Sequence, residues 1–302
     1  MTSTVAKPRP APVQAPTSRR RTRAAAVWNR LPVHAVVLSI AAIWLVPLVG
    51  LVVSSFRPAH AVLTSGWWHS FALPGDYTLE NYRRVLNRDG LLLSFFNSMA
   101  IVVPATLLTV TVGAAAAYGL ARMRFKFRRG LLLTIVALLI VPAQISFVPL
   151  LTVFSALGLT GSFLGLWLVH LGYGVAFAIY LLHNFFAALP AELFEAAEMD
   201  GASKSQIFFS IVLPISRPAL ASLAIFEFVW TWNDLLIALI FLGGSRDVAP
   251  MTVAVSSLVA SRGNGWEILT SAAVLSMVVP MVVFIALQKY FVRGMLAGVS
   301  KG

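Results

Sequence analysis

Long apolar runs separated by short basic or polar stretches dominate the chain. Six of them reach the roughly 20 residues that a helix needs to cross bilayer hydrocarbon: residues 34–53, 91–120, 131–151, 163–183, 218–242 and 268–290. The second is longer than a bilayer requires, so it tilts or projects beyond the hydrocarbon. From Gly130 to Ala191 there is no Asp, Glu, Lys or Arg. The expected fold class is all-α, a polytopic membrane protein with six transmembrane helices over residues 31–302. Pro47, Pro104, Pro142, Pro149 and Pro280 fall inside the runs. Proline removes a helix hydrogen bond and kinks the helix, and membrane helices tolerate this where neighbours satisfy the backbone.

Composition agrees with the pattern. Hydrophobic residues make up 59% and charged residues 11%, against about 25% charged in soluble domains. That excludes an ordinary cytosolic enzyme. The net charge is +12, but the basic residues lie in short stretches between apolar runs, where they set topology, and not in the stripes of a nucleic-acid surface. Seventeen of the 23 Lys and Arg residues fall on one side of the six-span arrangement. They come from the N-terminal segment, the stretch Arg122–Arg129, Lys204, Arg217 and the C-terminal end. This bias places both termini, and residues 184–216, in the cytoplasm. Residues 1–30, rich in Pro, Ala, Arg and Thr, read as a disordered basic cytoplasmic tail. A secretory signal is the rival reading, but the first apolar run is longer than the ~7–15 residue core of a signal. Cysteine is absent, which excludes disulfides, thiol chemistry and zinc–thiolate sites.

The cytoplasmic segment 184–216 carries the most distinctive pattern. Pro190 and Ala191 open a short helix, with Glu192, Glu195 and Asp200 following and Gly201 ending it as a C-terminal glycine. Residues 202–213 form a second short helix with Ile207, Phe208 and Ile211 at helical spacing, stopped by Pro214. Both are too polar to span and must dock on something. Ala196, Ala197 and Gly201 allow another protein to approach closely. Glu195 and Glu198 offer charge-assisted hydrogen bonds to Arg or Lys. The plainer alternative is a loop helix resting on its own bundle.

The spacing Glu195-Ala196-Ala197, Gly201, Ile211, Leu213-Pro214, lying between spans four and five of six, resembles the EAA loop of ABC importer permeases. The resemblance implies the type I importer permease fold, with residues 184–216 as coupling helices that seat in a cleft of a separate ATPase. It further implies that Glu195 pairs with a basic residue there and that Gly201 permits the sharp turn. Glu198 and Asp200 belong to the same surface. No G-x-x-x-x-G-K-[ST] phosphate loop occurs in the chain, so no cofactor is expected here. ATP and Mg would be bound by the ATPase dimer, whose movement reaches this subunit through the loop.

The fifth run reads Phe226-Glu227-Phe228-Val229-Trp230-Thr231-Trp232-Asn233-Asp234. An acid inside a span is by default a functional candidate. Glu227, Trp230, Thr231 and Asp234 recur at i, i+3, i+4 and i+7 and share one helix face. At ~1.5 Å per residue from Arg217, Glu227 lies ~15 Å in and Asp234 ~25 Å in. Carboxylates beside aromatic rings suit a sugar, with acceptors for hydroxyls and flat faces for ring C–H groups. Structural pairing of Glu227 with another helix, and Trp232 as an interfacial anchor, are the alternatives, and structural pairing is the favoured role for Asn233 and Asp234. Asn97, Gln144 and His170 are further candidates for the path, though such residues more often serve helix–helix hydrogen bonding. No metal cluster or nucleophile triad is apparent, so catalysis by this chain is not expected.

Trp232-Asn233-Asp234, Tyr77-Thr78-Leu79-Glu80-Asn81-Tyr82, Asn97-Ser98 and the C-terminus from Gln288 to Gly302 resemble the carbohydrate branch of these permeases, of the maltose-importer type. Gly265-Trp266 and the span after it look most like α-glucoside permeases. The resemblance implies import of a di- or oligosaccharide across the bacterial cytoplasmic membrane. It also implies three kinds of partner: a second homologous permease, the ATPase dimer and an extracytoplasmic sugar-binding protein. An ABC permease for a non-sugar solute and an ion-coupled secondary transporter using Glu227 are the competing classes.

Overall fold

The computed structural model describes residues 19–72, 77–87, 90–244, 247–262 and 265–299. Residues 1–18 of the expected tail, the loop residues Asp76, Arg88, Asp89, Arg246 and Asn264, and residues 300–302 lie outside them. The chain divides into two units, residues 1–51 and 52–302.

The helix α1 (Arg19–Ser55) opens inside the segment assigned to the tail and contains Pro32 and Pro47; it makes up the described part of the first unit as far as Leu51, and its last turn, residues 52–55, belongs to the second. Its apolar portion, Pro32–Ser55, is long enough to cross a membrane.

The second unit begins with short helices, α2 (Ala59–Thr64), α3 (His69–Ala72) and α4 (Glu80–Asn87). Tyr82 and Asn81 of α4 reach back to residue 55: the Tyr82 hydroxyl lies 2.6 Å from Ser55 Oγ, and Asn81 Nδ2 donates to Ser55 O at 2.9 Å. Two long helices form the centre, α5 (Leu91–Arg122) and α8 (Phe163–Ala187). Their closeness follows from small residues. A Cβ added to Gly113 would stand 2.5 Å from Ala178 Cβ, and Ala114 and Ala117 are buried beside it. Without water to drive association, membrane helices pack through such small-residue contacts.

The third expected span is broken. α6 (Arg128–Leu138) and the segment Ala143–Ala156, which contains a 3₁₀ turn and α7 (Phe147–Ala156), meet at 97°. Pro142 sits at the break with φ −61° and ψ 122°. It has no N–H to continue the helical ladder and its ring crowds the preceding turn. A uniformly apolar run gives no sign of whether a proline will kink a helix or end it.

The fifth expected span is also interrupted. α12 (Arg217–Asn233) stops one residue before Asp234, which is extended at φ −68°, ψ 129°. The Asp234 carboxylate accepts from the N–H groups of Ile237 and Ala238 at 3.3 and 3.1 Å. It thereby caps α13 (Leu236–Phe241), as a short acceptor does at a helix start. α14 (Met251–Arg262) and α15 (Trp266–Val299) complete the chain. Among the described residues four helices are long and apolar enough to cross a membrane, and six spans result if each bent pair counts as one.

Trp232 is core and not an interfacial anchor. It is 2% exposed, stacks on Phe228, and donates from Nε1 to Ser276 O at 3.0 Å. A buried indole needs such an acceptor.

Candidate functional site

The segment between α8 and α12 folds as a compact loop on one end of the bundle. Pro190, extended, precedes α9 (Ala191–Met199), with Glu192 in its first turn. Gly201 ends it in the left-handed region at φ +79°. The N–H of Ala202 donates to Ala197 O and that of Gly201 to Glu198 O, at 3.0 and 3.1 Å. This paired closure satisfies the last carbonyls of a helix and needs a residue without a Cβ penalty at its centre.

The second helix starts two residues later than expected, because Ser203 caps it. Ser203 Oγ accepts from Gln206 N–H while Ser203 N–H donates to Gln206 Oε1, a reciprocal capping box. The Ser-x-x-Gln spacing was a readable signal for this start. Residues 202–213 are not one regular helix. α10 (Lys204–Ile207) passes into a π-helical turn over Phe208–Val212 and then α11 (Leu213–Ile215). Pro214 does not stop the segment; it enters the first turn of α11, and the chain bends by 76° into α12 after Ile215. A proline is at home where no N–H is required, and π turns re-space the ladder locally.

The loop has an inner and an outer side. Ala197, Ile207, Phe208 and Val212 are buried against Tyr118, Leu182, Phe186 and Leu223. Glu195, Ala196, Glu198, Asp200 and Gly201 are exposed, together with Met199 and Phe209. Ile211, Leu213 and Pro214 are half-buried. Glu198 forms an ion pair with Lys204 within the loop, so of the two glutamates expected to face a partner, one already has an internal mate.

Two side chains of α5 fasten this loop to the bundle. The Arg122 guanidinium donates to Phe186 O at 3.1 and 2.7 Å and to Leu189 O at 2.6 Å, and lies 3.8 Å from the centre of the Phe194 ring. It adds charged donors to the Phe186 carbonyl, which also accepts from the Leu189 N–H, and to the Leu189 carbonyl just past α8, and it adds a cation–π contact to α9. The Tyr118 hydroxyl donates to Lys204 O at 3.1 Å, and its ring packs 4.9 Å from Phe208. The sequence pattern marked Arg122 only as a topology charge and did not mark Tyr118.

The residues expected along the substrate path do not converge. Glu227 and Thr231 are 3% and 5% exposed and face into the bundle. A Cβ on Gly174 would stand 2.6 Å from Glu227 Oε2 and 2.9 Å from Thr109 Cγ2. The carboxyl group therefore occupies the space that a glycine on α8 leaves open. Trp230 points the other way and is 58% exposed. Asp234 lies off the helix, with His170 Nε2 4.0 Å from its carboxylate. Asn97 donates to Asp247 O and Ala249 O at 2.8 and 3.2 Å, and Ser98 Oγ accepts from Met251 N–H at 2.8 Å. These bonds pin the loop before α14. Gln144 is exposed in the 3₁₀ turn, apart from that cluster.

Comparison with known proteins places this geometry in a family. Residues 109–297, which contain the whole loop, match the family model described as "Binding-protein-dependent transport system inner membrane component". The osmoprotective compounds uptake permease protein GgtD of Synechocystis sp. is 49% identical over 277 residues, covering 91% of this chain and 93% of that protein. The α-glucoside transport system permease protein AglG of Rhizobium meliloti is 49% identical over 234 residues, covering 76% of this chain and 62% of that protein. Among solved structures, a bacterial ABC transporter involved in import of the acidic polysaccharide alginate matches with a TM-score of 0.74. That match is 25% identical and covers 92% of this chain and 100% of the matched one. The chain therefore belongs to the binding-protein-dependent inner-membrane components, the permease subunits of ABC importers.

Proposed function

We propose that this subunit imports a di- or oligosaccharide of the α-glucoside class, such as maltose or trehalose, and takes its driving force from an ATPase through residues 184–216. The substrate class is supported by the kinship with AglG at 49% identity. The coupling role is carried by one observation: an exposed surface of Glu195, Ala196, Asp200 and Gly201 on a loop fastened to α5 by Arg122 and Tyr118. Force applied to that surface reaches the spans through hydrogen bonds and packing, with little slack in between.

In this reading the loop is cytoplasmic and both termini are inside, as the basic-residue bias requires. The chain pairs with a second homologous permease. Two ATPase subunits hold ATP and Mg below, and a sugar-binding protein docks on the opposite face. Closure of the ATPase pair draws the loops of the two permeases together, and the spans turn outward to receive sugar. Hydrolysis reverses the movement and opens the cavity inward. Glu195 and Asp200 supply carboxylates for basic side chains of the ATPase, and the small Ala196 and Gly201 allow its backbone to approach.

The test uses the reconstituted complex. Glu195→Lys and Gly201→Val are expected to leave the spans folded while abolishing sugar-stimulated ATP hydrolysis and uptake. Assembly and stimulated hydrolysis at wild-type levels in both variants would contradict the coupling role.

A further inference from the structure

The turn that joins α5 to α6 is built unlike a water-facing turn. Residues 124–129 read Arg-Phe-Lys-Phe-Arg-Arg, so aromatic and basic side chains alternate. Phe125 and Phe127 are 47% and 82% exposed, and Arg124, Lys126 and Arg129 are exposed beside them. Phe127 also holds φ +66°, the one left-handed residue other than glycine among those described. A bulky side chain is an outlier in that conformation, where glycine or asparagine is the usual occupant. No acid occurs in the sequence between Asp89 and Glu192, and among the described residues no ion pair neutralises Arg124, Lys126 or Arg129. Arg128 donates to the uncharged Met123 O at 3.2 Å. The turn also lies close to the start of the third apolar run. The Leu131 N–H donates to Phe127 O at 2.9 Å, and Leu131 and Leu133 are exposed. Four residues of helix rise ~6 Å, which matches the ~5–7 Å headgroup layer on one side of a bilayer.

We propose that residues 124–129 form a binding site for anionic phospholipid headgroups of the cytoplasmic leaflet. Phe125 and Phe127 enter the interface, and Arg124, Lys126, Arg128 and Arg129 meet the lipid phosphates. The proposal rests on the topology reading above, which puts this turn in the cytoplasm. Basic residues beside a span are drawn to an anionic surface within about a Debye length, and apolar rings flanking them bury themselves at the headgroup–acyl boundary. The ATPase is the rival occupant, and charge argues against it. Residues 190–201, which the coupling role turns toward the ATPase, carry Glu192, Glu195, Glu198 and Asp200 and no base. A surface suited to those carboxylates is basic and repels this turn. Exposed rings within the apolar runs, such as Trp44, Phe96 and Phe284, have no charged residue within four positions. Those rings suit acyl chains, whereas the alternation of ring and base suits the charged layer above them.

The chain has no cysteine, and a Cβ on Gly130 meets nothing within 4 Å. Gly130→Cys, in a complete transporter whose other subunits lack cysteine, carries an environment-sensitive fluorophore beside the turn. The complex is reconstituted in vesicles of phosphatidylcholine and phosphatidylglycerol, with a quencher near the headgroup of one lipid or the other. Quenching by labelled phosphatidylglycerol is expected to be about threefold stronger than by labelled phosphatidylcholine at equal content, and to approach equality in about 1 M salt. Arg124→Gln, Lys126→Gln and Arg129→Gln together should erase the preference. Arg124→Lys with Arg129→Lys should keep it, because a phosphate accepts a point charge. Phe125→Ser with Phe127→Gly, which also relieves the left-handed backbone, should shift emission to the red as the turn leaves the interface. Equal quenching by the two lipids, an undiminished preference in the triple variant, or emission unchanged without the two rings would each overturn the site. Quenching by neither lipid would give the turn to the ATPase and overturn it as well. An impermeant maleimide that labels Gly130→Cys from outside intact cells would instead overturn the topology reading, and the site with it.

Discussion

The two ends of α5 use the same chemistry for opposite results. Near one end Asn97 and Ser98 bond the backbone of residues 247–251, and that loop sinks inward, with Ala249 and Met251 at 7% and 1% exposure. Near the other end Tyr118 and Arg122 bond the backbone of Lys204, Phe186 and Leu189, yet Glu195, Met199 and Asp200 remain outside. In both places side chains of one helix bond the backbone of a loop packed against it. One loop is drawn in and closes the bundle. The other is held at its root, and its tip is presented. On the proposed coupling role, a fastening of the second kind transmits force, while one of the first kind only stabilises.

The largest effect that separates the two is expected from Arg122→Ala. It leaves the carbonyls of Phe186 and Leu189 without their charged donor, at about 2–4 kcal/mol. It should also lower sugar-stimulated ATP hydrolysis in complexes that still assemble. Arg122→Lys restores a charge but not the fork that reaches both carbonyls, so recovery should be partial. Asn97→Ala comes next. Loss of two neutral hydrogen bonds costs about 1–2 kcal/mol, seen as a lower unfolding midpoint in detergent, with stimulated hydrolysis per assembled complex unchanged. If Asn97→Ala uncoupled the transporter as Arg122→Ala does, the distinction between the two ends would fail.

What the sequence disclosed follows from how local each feature is. The α9 turn was legible because its cause lies within three residues: Gly201 takes the left-handed conformation and Ala202 and Gly201 close the helix behind it. Span existence was legible because it depends on apolar length alone. Arg122 was not, since its acceptors are 64 and 67 residues away, and a charge count registers only its sign. On α12 the helical period grouped Glu227, Trp230 and Thr231 on one side, but period alone does not say which edge of that side turns inward. Gly174 on a distant helix decides it, by leaving room for the Glu227 carboxyl group. The breaks at Pro142 and Asp234 depend likewise on what waits beyond them. Asp234 leaves the helix where its carboxylate caps α13 and its carbonyl accepts from Thr252 Oγ1 at 2.6 Å.

A smaller effect, confined to the presented loop, is expected from Gly201→Ala. A Cβ there meets nothing within 4 Å, so the change acts through the backbone alone. A left-handed alanine costs about 1–2 kcal/mol. Complexes should assemble and show reduced stimulated hydrolysis, rescued in part by Gly201→Asn, because asparagine tolerates that conformation better than alanine. If Asn proved as damaging as Val, the defect would lie in contact with the partner and not in the turn.

The smallest effect belongs to the ion pair between Glu198 and Lys204. Their side chains are 50% and 55% exposed, and an exposed pair contributes about 0–1 kcal/mol. Lys204→Ala should therefore barely move the unfolding midpoint, and added salt should erase what difference remains. The consequence for coupling is separate from stability. Removing Lys204 releases Glu198 as a second carboxylate beside Glu195. If the ATPase reads this surface by charge, Lys204→Ala should tighten its association at low salt, by a factor that shrinks as salt rises. The double variant Glu198→Gln with Lys204→Ala should return association to the wild-type value, since Glu198 already has its charge engaged in the native loop. An unchanged salt dependence across all three proteins would mean that Glu198 lies outside the contact and that Glu195 and the small residues carry it.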